Sequence, residues 1–371
     1  MKRKNISKEK SIRKTKHLTE LCICAALLVA GAVVVKGAFD RSGIVPEAER
    51  RDSANVEVTE TTQPVTEALD PDSTIYESKG VSTKSKFRGD LILVNEDHQY
   101  FTTGDEDLVS ILTLNDENGR SYFGAVDYDY TLQRVAYEPL AQMIGEFYRL
   151  YNIDNIVIYG SYRTTEFQRQ LYENDLAQNG SDSSTKVAKP GFSEHESGYA
   201  VDFTTVPDYD YDGTGDYAWF NKNCCKYGFI VRYPENKENI TKIQYEPWHF
   251  RYVGIPHACY MDKNGLCMEE YMELLEQHPY SGEHLEFADD EGRNYEVYFV
   301  KSDDGAENTT IPVPTGAEYD ISGNNYNGFI VTVYKDGKPG FPAEKTTEAS
   351  TEASTEESSV EQPDEGETQE I

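Results

Sequence analysis

Apolar residues fall into three patterns along this chain of 371 residues. Residues 21–35 form one uncharged apolar run. From about residue 86 to 280, short apolar runs alternate with stretches at helical spacing. Beyond Pro279 the period drops to two: Tyr295, Val297 and Phe299 alternate with Glu296 and Tyr298, and an apolar run at 329–334 follows an Asn327-Gly328 hairpin signal.

In the middle region, 91–94 and 156–159 read as short buried strands. Leu140, Met143, Ile144, Phe147 and Tyr151 recur at the spacing of one helix face, and Pro139 suits a first turn, which predicts a helix over 139–151. Thr164 or Thr165 caps a helix that runs to about 178 and stops at Gly180. Residues 216–227 read as a helix ended by Gly228, 229–232 and 248–253 as strands, and 268–277 as a closing amphipathic helix. Helices and strands mix without regular βαβ spacing, which predicts an α+β domain over 86–280 with a central antiparallel sheet. Residues 281–338 read as a small all-β module, too small for a generous core alone and therefore expected to dock on what precedes it.

The ends of the chain change the picture. Residues 1–17 carry eight Lys and Arg against one acid, Glu9, and feed the apolar segment at 18–38. Positive-inside logic then puts residue 1 in the cytoplasm and everything after Lys36 outside. The apolar run suits either a single-pass anchor or a signal-peptide core, so the exported part is held at the membrane, or secreted if the segment is cleaved. Residues 39–85 are rich in Thr, Glu, Ser and Pro and read as a disordered stalk; 339–371 reads as a disordered acidic tail with a short Thr-Glu-Ala-Ser repeat. The net charge of −31 owes much to these two segments and argues against a nucleic-acid partner. In an exported domain Cys224, Cys225, Cys259 and Cys267 permit a disulfide, but their spacing prescribes no pair.

Two short motifs carry the chemistry. Ser193-Glu194-His195-Glu196-Ser197-Gly198-Tyr199-Ala200-Val201-Asp202 and Glu246-Pro247-Trp248-His249 supply two imidazoles and two well-placed carboxylates. His195, Asp202 and His249 make a three-ligand zinc set with one open position, with Gly198 giving the turn between the first two its freedom. Glu246, at the entrance to a strand, suits a general base that takes a proton from water and passes it to a leaving amine. Arg163 ends a buried strand at Ser161-Tyr162-Arg163, where functional side chains project. Asp208, Asp210 and Asp212 imitate half of a calcium loop, but its twelfth position is Trp219 rather than Glu.

These residues resemble the VanY-type D-alanyl-D-alanine carboxypeptidases, of the superfamily that also groups lysostaphin-like enzymes and sonic hedgehog. The likeness covers about residues 87–279. It rests on Ser161-Tyr162-Arg163 with Gln168, on Ser193-x-His195-x-x-Gly198-x-Ala200-x-Asp202, on Tyr227-Gly228-Phe229 with Arg232-Tyr233-Pro234, and on the run from Glu246 to Gly254. The resemblance implies a hedgehog/D-Ala-D-Ala-peptidase-like fold, one Zn²⁺ held by His195, Asp202 and His249, and Glu246 as catalytic base. It implies that Arg163 stabilises the scissile carbonyl or developing oxyanion, and that Gln168 and Ser193 line the pocket for a terminal D-alanine. The substrates would be peptidoglycan stem peptides outside the membrane. D,D-dipeptidase and L,D-carboxypeptidase activity on wall peptides, or a zinc-containing binding module without catalysis, are the alternatives. Lys242 after Thr241 departs from a glycine common in relatives, at the pocket rim.

Overall fold

A computed structural model describes residues 75–340 apart from 105 and 185. The basic segment at 1–17, the apolar segment at 18–38, the stalk up to residue 74 and the tail from 341 lie outside the described residues. Among the described residues no helix is long and apolar enough to cross a membrane.

The chain runs through β1 (Tyr76–Ser82), β2 (Leu108–Ser110), β3 (Phe123–Ala125), β4 (Thr131–Gln133), β5 (Ile156–Gly160), β6 (Ala200–Thr205), β7 (Phe229–Val231) and β8 (His249–Tyr252). After two helices it closes with β9 (Leu285–Ala288), β10 (Asn294–Lys301), β11 (Asn308–Pro314), β12 (Glu318–Gly323) and β13 (Gly328–Tyr334). The architecture is α+β. Its central sheet has five strands in the order β3-β5-β6-β8-β7. The sheet is not wholly antiparallel as expected, because β3 and β5 are parallel. The helix Arg134–Tyr151 lies between them in sequence and returns the chain to the same end of the sheet, as parallel neighbours require.

That helix buries Leu140, Met143, Ile144 and Phe147 completely, against Ile156, Ile158, Val201, Phe203 and Phe250 of the sheet. It starts earlier than the apolar spacing predicts and encloses Pro139. The proline has no N–H for the carbonyl of Val135, which lies in the first, solvent-facing turn of the helix. The helix Thr165–Asn179 matches its signals closely. Thr164 accepts from the Phe167 N–H at 3.2 Å, and Gly180 closes the helix in the left-handed conformation. The predicted helix at 216–227 is broken into Ala218–Asn223 flanked by two 3₁₀ turns.

Three expectations need correction beside that sheet. Residues 91–94 are buried but form no strand; their backbone is satisfied instead by Ser322 Oγ (from Leu91, 3.0 Å) and the Asn324 carbonyl (from Leu93, 3.2 Å). The segment read as stalk to residue 85 is structured from Tyr76, since β1 pairs with β11 from Tyr76↔Pro314 to Ser82↔Asn308. Composition misses it because a few residues anchor it: Tyr76 meets the rings of Tyr280 and Tyr298 at 5.2 and 6.1 Å, and its hydroxyl donates to buried Glu296. The turn between β12 and β13 spans residues 324–327 rather than an Asn327-Gly328 pair. Asn324 Oδ1 organises it by accepting from the N–H groups of Tyr326, Asn327 and Gly328 at 3.0–3.2 Å.

The strands after Pro279 form a four-stranded sheet, β12-β13-β10-β9, beside the β1-β11 pair. Tyr298, Ile311, Val313, Phe329, Val331 and Val333 make a core of their own, and a second set of side chains is shared with the preceding domain. Leu285, Val297, Phe299 and Ile330 share one cluster with Ile230, Val253, Met261, Tyr271 and Leu275. His257, buried in the helix Ile255–Asn264, joins Tyr271 Oη (2.8 Å) to Thr332 Oγ1 of β13 (2.9 Å). Cys224, Cys225, Cys259 and Cys267 are all free thiols.

Candidate active site

Strand register builds the centre of the site. Asp202 of β6 stands directly across from His249 of β8 on one side and from Gly160 of β5 on the other. Cross-strand neighbours share a face of the sheet, so the carboxylate and the imidazole meet without any loop having to bring them together. Asp202 Oδ1 lies 2.9 Å from His249 Nδ1. Gly160 leaves the third place in this row empty: a Cβ there would come within 2.0 Å of Asp202 Oδ2.

His195 arrives from the 3₁₀ turn Glu194–Ser197 that precedes β6. Gly198 ends that turn at φ +75°, with Leu108 packed where a side chain would stand. His195 Nδ1–H donates to the Ser161 carbonyl at 2.9 Å, so Nε2 faces inward, 3.0 Å from Asp202 Oδ2. The Arg163 N–H in turn holds the His195 carbonyl at 3.0 Å. The loop after β5 therefore fixes His195 by two backbone groups.

Among the described residues, His195, Asp202 and His249 are the one group of three whose donor atoms all lie within 4.8 Å of one another, and all three are buried. In the half-loop, Asp210 and Asp212 are spent on local bonds, Asp210 with Thr205 and Asp212 with Thr214. Burial and nearby Arg163 push His195 down to about 4. Burial also disfavours a charged His249, but Asp202, Glu194 and Glu246 outweigh it and lift the ring to about 9. Asp202 is held far below the usual carboxylate range by the two imidazoles, against its burial. This is a buried pocket with inward-facing nitrogen and oxygen donors and an orphaned Asp202 Oδ1, and it fits Zn²⁺.

Glu246 lies at the mouth of β8, its Oε2 3.8 Å from His249 Nδ1, and burial with Asp202 nearby raises it to about 7. Arg163 donates to Asp202 Oδ2 at 3.0 Å and reaches Gln168 Oε1 at 3.5 Å. Gln168 is buried and donates to the Ala188 carbonyl at 2.8 Å. Ser193 is buried at the head of the 3₁₀ turn. His195, Asp202, His249, Glu246 and Arg163 thus lie around one buried centre, with Gln168 against Arg163 and Ser193 two residues before His195.

Sequence reasoning missed what lies behind it. Glu194 is fully buried, and its Oε1 accepts from Arg232 Nε at 2.7 Å and Arg251 Nη1 at 2.9 Å. Arg232 also forks onto Glu269 at 2.6 and 3.0 Å, and Arg251 reaches the carbonyls of Asp90 and Ile92. The signal was present in apolar surroundings that carry charges, Ile230-Val231-Arg232 and Phe250-Arg251-Tyr252, since a buried arginine needs a buried acid.

A model of the VanY family, described as D-alanyl-D-alanine carboxypeptidase, matches residues 130–255. A D-alanyl-D-alanine carboxypeptidase of Enterococcus faecium is 32% identical over 260 residues, covering 70% of this chain and 79% of that protein. The chain belongs to the VanY family. Every metal-set and pocket residue above falls inside the VanY match. A bifunctional D-Ala-D-Ala dipeptidase and carboxypeptidase, VanXYC of Enterococcus gallinarum, is 40% identical over 131 residues, 33% of this chain and 69% of that one. Among solved structures, the vancomycin-resistance D,D-dipeptidase VanXYg, in complex with a D-Ala-D-Ala phosphinate analog, is similar with a TM-score of 0.61 at 30% identity. It covers 70% of this chain and 100% of its own.

Proposed function

We propose that this VanY-family enzyme is a zinc-dependent carboxypeptidase that removes the terminal D-alanine from peptidoglycan stem peptides outside the cell membrane. The observation that carries it is the buried convergence of His195, Asp202 and His249 with Glu246 alongside. Zn²⁺ held by those three residues supplies Lewis acidity toward a carbonyl oxygen and acidifies water.

The chain's own residues do the rest. Glu246, poised near neutrality by its burial, accepts a proton from the attacking water and delivers it to the departing amine of D-alanine. Arg163 stands beside the metal ligands with part of its side chain open to solvent and directs its guanidinium at the scissile carbonyl as charge builds on the oxygen. Gln168 is locked by the Ala188 carbonyl and backs Arg163, while Ser193 lines the approach to the terminal residue. The apolar segment at 18–38, as anchor or export signal, and the Thr/Glu-rich stretch after it are read as what brings the site to the wall. The strands after Pro279 are read as a buttress that braces the catalytic domain through the shared apolar cluster.

The test is to incubate the chain with pentapeptide and tetrapeptide stems and follow products by mass spectrometry. Release of one D-alanine from the pentapeptide is expected. A released dipeptide, or cleavage confined to the tetrapeptide, selects the D,D-dipeptidase or L,D-carboxypeptidase; no cleavage by zinc-loaded protein discards the enzymatic reading.

A further inference from the structure

We propose that Glu194 is a positioning residue for the metal, whose carboxylate sets the His249 ring so that Nδ1 rather than Nε2 meets the ion. This rests on the zinc site of the preceding reading. The two ring nitrogens of His249 have different surroundings. Nδ1 faces Asp202 Oδ1 at 2.9 Å and Glu246 Oε2 at 3.8 Å. Nε2 points the other way, to Glu194 Oε2 at 3.6 Å. Both of those atoms are buried, and neither has a hydrogen-bond partner.

A buried donor and a buried acceptor are each costly when left alone, and here each is the answer to the other. A closure of about half an ångström makes an ordinary hydrogen bond between them. Glu194 cannot turn away to find another partner, because Arg232 and Arg251 saturate its Oε1. Both arginines are themselves wholly buried and tied elsewhere, Arg232 to Glu269 and Arg251 to three backbone carbonyls, those of Tyr252, Asp90 and Ile92. A plain counter-ion for two arginines would not need its second oxygen aimed at an imidazole. An imidazole that ligates a metal characteristically gives its other N–H to a carboxylate, which fixes tautomer and ring orientation. One short turn therefore delivers His195 as a ligand and, one residue earlier, the carboxylate that stands behind the opposite ligand.

The test uses the full chain, stripped of metal and titrated with zinc against a competing chelator. Glu194→Gln keeps an oxygen for the arginines but turns an N–H toward His249 Nε2. Zinc affinity is expected to fall about 10- to 100-fold. In zinc-loaded wild type, ¹⁵N spectra of labelled histidine should report His249 as protonated on Nε2. A folded Glu194→Gln protein that binds zinc within about twofold of wild type, or a His249 protonated on Nδ1 in the loaded wild type, overturns the proposal. If Glu194→Gln does not fold, Glu194→Asp decides, because it keeps the charge for the arginines while drawing back from His249: weaker zinc binding by folded Glu194→Asp supports the role, and unchanged binding overturns it. None of these readouts uses a substrate. A chain with this tautomer and this dependence that cleaves no stem peptide would therefore discard the enzymatic reading and leave the Glu194 role intact.

Discussion

At the scale of single residues, proximity alone does not separate ligand from base in this site. Both Glu246 and Asp202 lie near His249, yet only Asp202 sits opposite it in the strand ladder with an oxygen at 2.9 Å. Glu246→Ala should therefore retain zinc while hydrolysis falls by about 10²- to 10⁴-fold, the usual span for a general base. His249→Ala should lose both, with metal content measured by elemental analysis and turnover on a D-Ala-D-Ala peptide. Retained turnover in the first variant would remove Glu246 from the mechanism. A second substitution tests the row itself. Gly160→Ala places a methyl within 2.0 Å of Asp202 Oδ2, so the carboxylate must swing away and zinc content should drop. An undiminished zinc stoichiometry in Gly160→Ala would mean that the ladder does not set the ligand geometry. That His195, Asp202 and His249 cluster was legible in the sequence because zinc chemistry restricts donors so narrowly. Glu194 was passed over because nothing local distinguishes a buried acid from a solvated one; its partners, Arg232 and Arg251, come from strands much later in the chain.

At the scale of elements, legibility followed the strength of local signals. The helix Thr165–Asn179 was readable because cap and stop are both encoded by neighbours, Thr164 and Gly180. β6 went unread as a strand even though all six of its residues are buried, because it is sandwiched between β5 and β8 and its polar residues are buried with it, Asp202 at the site and Thr205 on Asp210. Residues 91–94 have the composition of a strand and the hydrogen bonding of a loop, a choice made by Ser322 and Asn324 far along the chain. β1 is the sharpest case, since its composition argues for disorder and its pairing with β11 is continuous. Tyr76→Ala, which removes a ring packed on Tyr280 and Tyr298 and the hydroxyl bonded to Glu296, should cost about 2 kcal/mol, below the span for a fully buried aromatic because Tyr76 is only half-buried. Denaturant unfolding checks it, and a cost near zero would make β1 an ornament on the sheet.

At the scale of the whole molecule, the two helices that follow the catalytic sheet are tied to the later strands by a titratable group. Burial pushes His257 down to about 3, so the folded protein keeps it neutral between Tyr271 and Thr332. The unfolded chain binds a proton that the folded chain refuses. This contribution to stability is complete above about pH 6.5 and is lost progressively as pH falls toward about 3, reaching a loss of about 2 kcal/mol by pH 5. Asp90 acts in the opposite sense, since burial raises it to about 6 and the folded state takes up its proton first. The His257 term is therefore read as a difference. Wild type should lose about 2 kcal/mol relative to His257→Gln between pH 7 and 5 in parallel denaturant titrations, and parallel curves would exclude the coupling.

The row formed by Gly160, Asp202 and His249 has a consequence for how this protein tolerates change in length. Asp202 and His249, the two proposed ligands on strands, are held together by neighbouring strands and not by the chain that connects them, which wanders through the helix Ala218–Asn223, β7 and the helix Glu238–Thr241 before returning. Lengthening an exposed part of that connection costs only a slowly growing loop entropy and leaves the ligands where they are. A single residue inserted within β6 does the opposite, because it turns Asp202 to the other face of the sheet. Insertions and deletions around this site should thus sort into two sharply different kinds, silent in the long excursion and fatal to metal binding in a strand of six residues.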